Sequence, residues 1–128
     1  MIDLATGQDV DLAEQLAPSG PTVLWFWTTE SGESAAEAAA VAKLAADFSG
    51  RLKVVTVGTG GDAQQAEQFQ QEAGLAGVTT VWDPAAQSFE HYQVSAIPSI
   101  IAMDDAGNVM GRWNNLSPEV IQFLDVVA

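Results

Sequence analysis

The chain contains no cysteine, a single histidine (His91), and four basic residues against seventeen acidic ones. Without cysteine there is no disulfide, thiolate or iron–sulfur chemistry. One imidazole excludes a zinc site built from histidine and cysteine. The formal net charge is −13. That excludes an ordinary nucleic-acid binder, whose affinity for the phosphate backbone comes from Lys and Arg, and it disfavours docking to anionic lipid. No apolar run approaches the ~20 residues needed to span a bilayer, so direct membrane insertion of this chain is not expected. A phosphate-binding glycine loop is also missing. Gly58-Thr59-Gly60-Gly61 lacks the lysine and the spacing, and reads as a strand-to-helix connection.

What is present is globular. The chain has 128 residues, 48% of them apolar and 16% charged, which predicts one domain over residues 1–128 with enough core to fold unaided. Strand and helix signals alternate from end to end, the mark of an α/β domain. The first ~20 residues read as short extended pieces around a turn at Thr6-Gly7. A helix of one to two turns follows from Asp11, with Asp11 and Glu14 as a capping box and Pro18, Gly20 and Pro21 as its stop. Thr22 to Trp27 is continuously apolar, β-branched or aromatic, and predicts a central strand buried on both faces.

Ser34 to Phe48 is Ala-rich and predicts a helix, with Val41, Leu44 and Phe48 as its inner stripe and Lys43–Asp47 as an i,i+4 ion pair. Leu52 to Val57 predicts a second buried strand. A helix capped by Asp62 follows, facing inward through Ala66, Phe69 and Ala73. Thr79 to Trp82 is a third strand and Pro84 to Tyr92 a short helix. Ile100 to Met103 and Val109 to Trp113 are strands joined by Asp104-Asp105-Ala106-Gly107-Asn108, which is hairpin-turn chemistry. Ser117 caps a last helix that carries Pro118 at its first position, with Val120, Ile121, Leu124 and Val127 on the inner face. The sum is a central mixed sheet of about five strands with helices on both faces.

Two segments, Val23-Leu24-Trp25-Phe26-Trp27-Thr28-Thr29-Glu30-Ser31-Gly32-Glu33-Ser34 and Val94 to Val109, resemble the thioredoxin-like superfamily. Within it they resemble the TlpA/ResA-type (AhpC/TSA-related) extracytoplasmic thiol–disulfide oxidoreductases. The likeness runs from about residue 3 to the C-terminus. It implies a thioredoxin-like fold with a cis-Pro loop at Ile97-Pro98. It also implies an extracytoplasmic protein, secreted or membrane-anchored in its parent chain, and calls for no cofactor and no metal. Phe26-Trp27 matches the aromatic pair before the redox loop, and Glu30 stands where the family usually has tryptophan. Ser31 and Ser34 fall on the two cysteines of Cys-x-x-Cys, with Gly32 and Glu33 between them. Glu37 matches an acid often found three residues after the second cysteine, and Ala39 replaces the proline that often follows it.

Thiol–disulfide exchange needs a thiolate at the helix N-terminus and a second sulfur to resolve the mixed disulfide. A serine hydroxyl has neither the acidity nor the redox couple, so the chain as sequenced cannot run that reaction. Two explanations stay open: a natural cysteine-less relative that keeps the fold, or a Cys-to-Ser variant of an active oxidoreductase. Glu30 and the missing prolines favour the first. A hydrolytic role for Ser31 or Ser34 would need a base in reach, and His91 lies ~60 residues away. A serine at this point reads as a helix cap. Glu33 and Glu37 sit in the first turns of a helix, where negative charge is favoured, and Glu37 is also the candidate remnant of a proton-handling acid. His91 and the four tryptophans read as packing residues, with Trp27 expected to be partly exposed beside the loop. Asp104 and Asp105 lack the spacing of a calcium loop.

The resemblance further implies that binding can outlive catalysis. In the family, backbone groups before the cis-proline pair with an extended peptide. A protein or extended peptide is therefore the expected partner, in a groove made by Trp27, Glu30, Ser31, Gly32, Ile97 and Pro98.

Overall fold

The computed structural model describes residues 1–16 and 20–128; Pro18 lies outside that range. Among the described residues, six strands form one mixed sheet in the order β1-β4-β3-β2-β5-β6. The strands are β1 Ile2–Asp3, β2 Thr22–Thr28, β3 Lys53–Thr59, β4 Thr79–Trp82, β5 Ser99–Met103 and β6 Val109–Trp113. The helices are α1 Leu12–Gln15, α2 Gly32–Asp47, α3 Ala63–Glu72, α4 Gln87–His91 and α5 Pro118–Val127. Strands β2, β3 and β4 run parallel, while β1 on β4, β5 on β2 and β6 on β5 are antiparallel.

The buried strands sort their side chains by parity, as a pleated ribbon with two covered faces must. Val23, Trp25 and Trp27 of β2 join Val54, Ile100 and Ala102 in one apolar layer, beneath Ala38, Val41 and Leu44 of α2, Ala66 of α3, and Val120 and Leu124 of α5. Leu24 and Phe26 join Val55, Val57, Val81, Ile101 and Met103 in the other, beneath Leu12 of α1 and Phe89 of α4. Strand β2 is therefore the buried centre that its apolar run predicts.

Local chemistry sets the boundaries. Ser31, Asp62 and Ser117 each accept a backbone N–H at the N-terminus of α2, α3 and α5, and Asp62 with Gln65 completes a capping box. Lys43 and Asp47 pair at 2.7 Å on the exposed side of α2. The Asp104 carboxylate accepts N–H groups from Ala106 at 3.0 Å and from Asn108 at 2.9 Å, closing the β5–β6 hairpin. These bonds, first of all the one from the Asn108 backbone, hold its carboxyl below the ordinary value of 3.8.

The expected mixed sheet of about five strands has six, the extended start of the chain adding Ile2 and Asp3 against Trp82 and Val81. Three expectations are corrected. The Asp11 side chain makes no cap; the Glu14 N–H donates instead to the Asp11 carbonyl at 3.1 Å, and α1 is only four residues long. Helix α4 is shorter than Pro84 to Tyr92. Ile121 is 41% exposed; the inner stripe of α5 takes Phe123 in its place, tilted against Trp113 with centroids 5.2 Å apart.

Candidate functional site

The strand-to-helix step from β2 to α2 carries Ser31 and Ser34. Ser31 Oγ accepts the Ser34 N–H at 3.2 Å, and Ser34 Oγ accepts the Thr28 N–H at 3.3 Å. Ser34 is fully buried and Ser31 half-buried. Both hydroxyl oxygens therefore satisfy backbone N–H groups that a strand end and a helix start would otherwise leave unpaired. No base faces them. His91 is exposed on α4, edge-on to Tyr92 with centroids 4.8 Å apart, and α4 packs on the opposite apolar layer from α2.

Beside this step the loop after β3 is held in close contact. Thr29 N–H donates to the Thr59 carbonyl at 3.2 Å, and the Trp82 indole N–H donates to the Gly60 carbonyl at 3.1 Å. Gly60 has φ +82°, and a Cβ there would lie 2.7 Å from Thr28 Oγ1. Glycine is required on both counts. Glu30 is exposed, its carboxyl 3.6 Å from where that Cβ would stand.

Trp27 is not at the surface. It is fully buried, stacked on Phe69 with centroids 4.3 Å apart, and its indole N–H donates to Thr56 Oγ1 at 3.2 Å. The ring lies over its parallel register partner Gly58, where a Cβ would meet ring atoms at 2.2 Å. A glycine inside a strand marks such a close approach, and Gly58 was the signal available in the sequence. Trp27 is therefore removed from the expected groove.

Glu37 has a defined structural task. Its Oε1 accepts the Trp25 indole N–H at 2.8 Å, and its Oε2 accepts the Leu116 backbone N–H at 3.0 Å. One carboxylate thus ties α2 to the floor of the sheet and to the segment between β6 and α5, 79 residues away in the chain. This bridge holds one wall of a surface cleft of about 520 Å³. Glu33, Ala36, Glu37 and Ala40 form the α2 side at i, i+3, i+4 and i+7 spacing, and Pro98 stands with Asn114, Asn115 and Leu116 as the other lining. The Ile97–Pro98 peptide bond is cis.

Of the expected site residues, the structure brings Glu37 and Pro98 into one cleft and sets Ser31, Gly32 and Ser34 at the N-terminus of the helix that forms its wall. Ile97 turns away: it is half-buried and packs with the opposite layer, that of Phe26 and Phe89. Asn114, Asn115 and Leu116 were missed as lining. Their segment reads in the sequence only as the approach to a capped helix.

No protein-family model matches the sequence, and no curated protein matches it. Solved structures do. A secreted disulfide oxidoreductase of Mycobacterium tuberculosis, homologous to E. coli DsbE, is 22% identical with a TM-score of 0.80, covering 98% of this chain and 92% of that one. M. tuberculosis DsbF is 22% identical with a TM-score of 0.85, covering 99% and 92%. StoA from Bacillus subtilis is 18% identical with a TM-score of 0.77, covering 98% and 95%. The chain has a thioredoxin-like fold, the fold of these thiol–disulfide oxidoreductases, and it has no cysteine.

Proposed function

We propose that this chain is a redox-inactive thioredoxin-like domain that binds an extended protein segment along the cleft at Pro98. The observation that carries the reading is the use made of Ser31 and Ser34. Their oxygens accept backbone N–H groups and stabilise the start of α2, while exchange chemistry would need two sulfurs there. The cleft beside them remains open, with Pro98 on its lining. Extended segments dock where backbone groups and side-chain pockets lie together. The domain works outside the cytoplasm, a reading supported by the secreted M. tuberculosis structure that shares the fold.

A second reading is that the chain is a Cys-to-Ser variant of an active extracytoplasmic thiol–disulfide oxidoreductase. It is favoured by the i, i+3 placement of the two serines at the N-terminus of α2, where a thiolate would be stabilised. Insulin reduction by the Ser31→Cys/Ser34→Cys variant separates the two. A folded variant with no turnover above the dithiol background supports the binding domain. Turnover typical of an oxidoreductase supports the second reading and removes the first.

A further inference from the structure

We propose that the Pro98 cleft selects a basic side chain, Lys or Arg, from the extended segment it binds, with Glu33 as the charged partner. This deepens the reading above and rests on it. The two carboxylates of the cleft are in different conditions. Glu37 already accepts from Trp25 and Leu116. Glu33, one turn earlier on the same stripe, is exposed and forms no hydrogen bond or ion pair among the described residues. No basic side chain lines the cleft. Three of the four bases are engaged elsewhere: Lys43 with Asp47, Arg51 with Asp125, and Arg112 on the Tyr92 carbonyl.

The rest of the lining suits the same occupant. Ala36, Ala40 and Pro98 offer an apolar surface beneath the free carboxylate. Lys and Arg are the side chains that lay an aliphatic stem on apolar surface and keep a charged head at the rim. A net charge of −13 adds a long-range field that concentrates cations and opposes acidic partners. A neutral segment would leave Glu33 unused, and an acidic one would be repelled by it.

The test uses two fluorescently labelled ten-residue peptides of Ser, Thr and Val, alike except for Arg or Gln at the centre. Their anisotropy is followed against the intact chain at low ionic strength. The Arg peptide is expected to bind roughly two- to fivefold more tightly, the range of an exposed ion pair. Glu33→Gln should erase that preference. Glu67→Gln, which removes an exposed carboxylate from α3, should leave the preference intact. Equal binding of the two peptides overturns the basic selectivity and leaves the binding domain standing. No binding of either overturns both. An equal loss in Glu33→Gln and Glu67→Gln means diffuse attraction by net charge, and overturns the assignment to this cleft.

Discussion

Two adjacent regions of this molecule use polar groups in opposite ways. At the junction of β2 and α2, Ser31, Ser34, Thr28 and the Gly58–Gly61 loop are closed on one another, with the Ser31 and Ser34 oxygens on backbone N–H groups and Trp27 filling the space over Gly58. Between the two serines, on the side of α2 that lines the open cleft, Glu33 faces solvent with no partner among the described residues. The closed region has the geometry of folding: buried polar atoms that are satisfied in place. The open region is a concave surface with an exposed charge, the surface proposed above for recognition. Glu37 belongs to both, since its carboxylate accepts from the buried Trp25 indole and holds Leu116 on the cleft wall.

Substitutions should tell the two regions apart by what they cost. The largest loss is expected for Gly58→Ala, because the new methyl would fall 2.2 Å from the Trp27 ring. About 3 kcal/mol of stability should disappear, the upper range for overpacking, seen as a lower urea midpoint with an unchanged slope. Glu37→Ala should follow at about 2 kcal/mol, since it leaves the Trp25 indole and the Leu116 amide without their acceptor. It should also speed hydrogen exchange at the Leu116 amide. Both changes test whether the closed framework carries the stability.

Ser34→Ala should cost about 1 kcal/mol, the loss of one buried acceptor for the Thr28 N–H, whereas Glu33→Gln should leave the urea midpoint unchanged. A Glu33 variant as destabilised as the Ser34 variant would erase the distinction between the regions. The finest test is chemical. In Ser31→Cys/Ser34→Cys, the thiol at position 31 would follow Glu30 and cap a helix whose first turns carry Glu33 and Glu37, and these acids oppose thiolate formation. Its pKa, followed by ultraviolet thiolate absorbance, should sit nearer the ordinary cysteine value of about 8.5 than the value of about 7 found for thioredoxin.

The legible parts of this protein were those fixed by local pattern. The apolar run of β2, the Ala-rich α2, the Asp62 and Ser117 caps and the Asp104 turn all rest on residues a few positions apart, and the structure has them. The Ser31 cap was legible for the same reason. What sequence reading missed depends on distant pairing. Ile2 and Asp3 read as part of an extended piece, but their place in the sheet as β1 is set by the edge of β4, far along the chain. Trp27 was expected to be partly exposed because it adjoins the loop, but Gly58 on the neighbouring strand makes room for its ring. Phe123 displaces Ile121 because Trp113 waits on β6. The far wall of the cleft is set by the contact between Glu37 and Leu116, which no local window contains.

Binding of an extended segment at the Pro98 cleft is the proposal on which the rest depends. A backbone amide map of the chain, recorded while the Arg-centred extended peptide is added, tests it most directly. Chemical-shift changes should gather at Glu33, Glu37 and Asn114 to Leu116 and leave α3 and α4 unmoved. Changes centred on another face, or none at saturating peptide, would contradict the account.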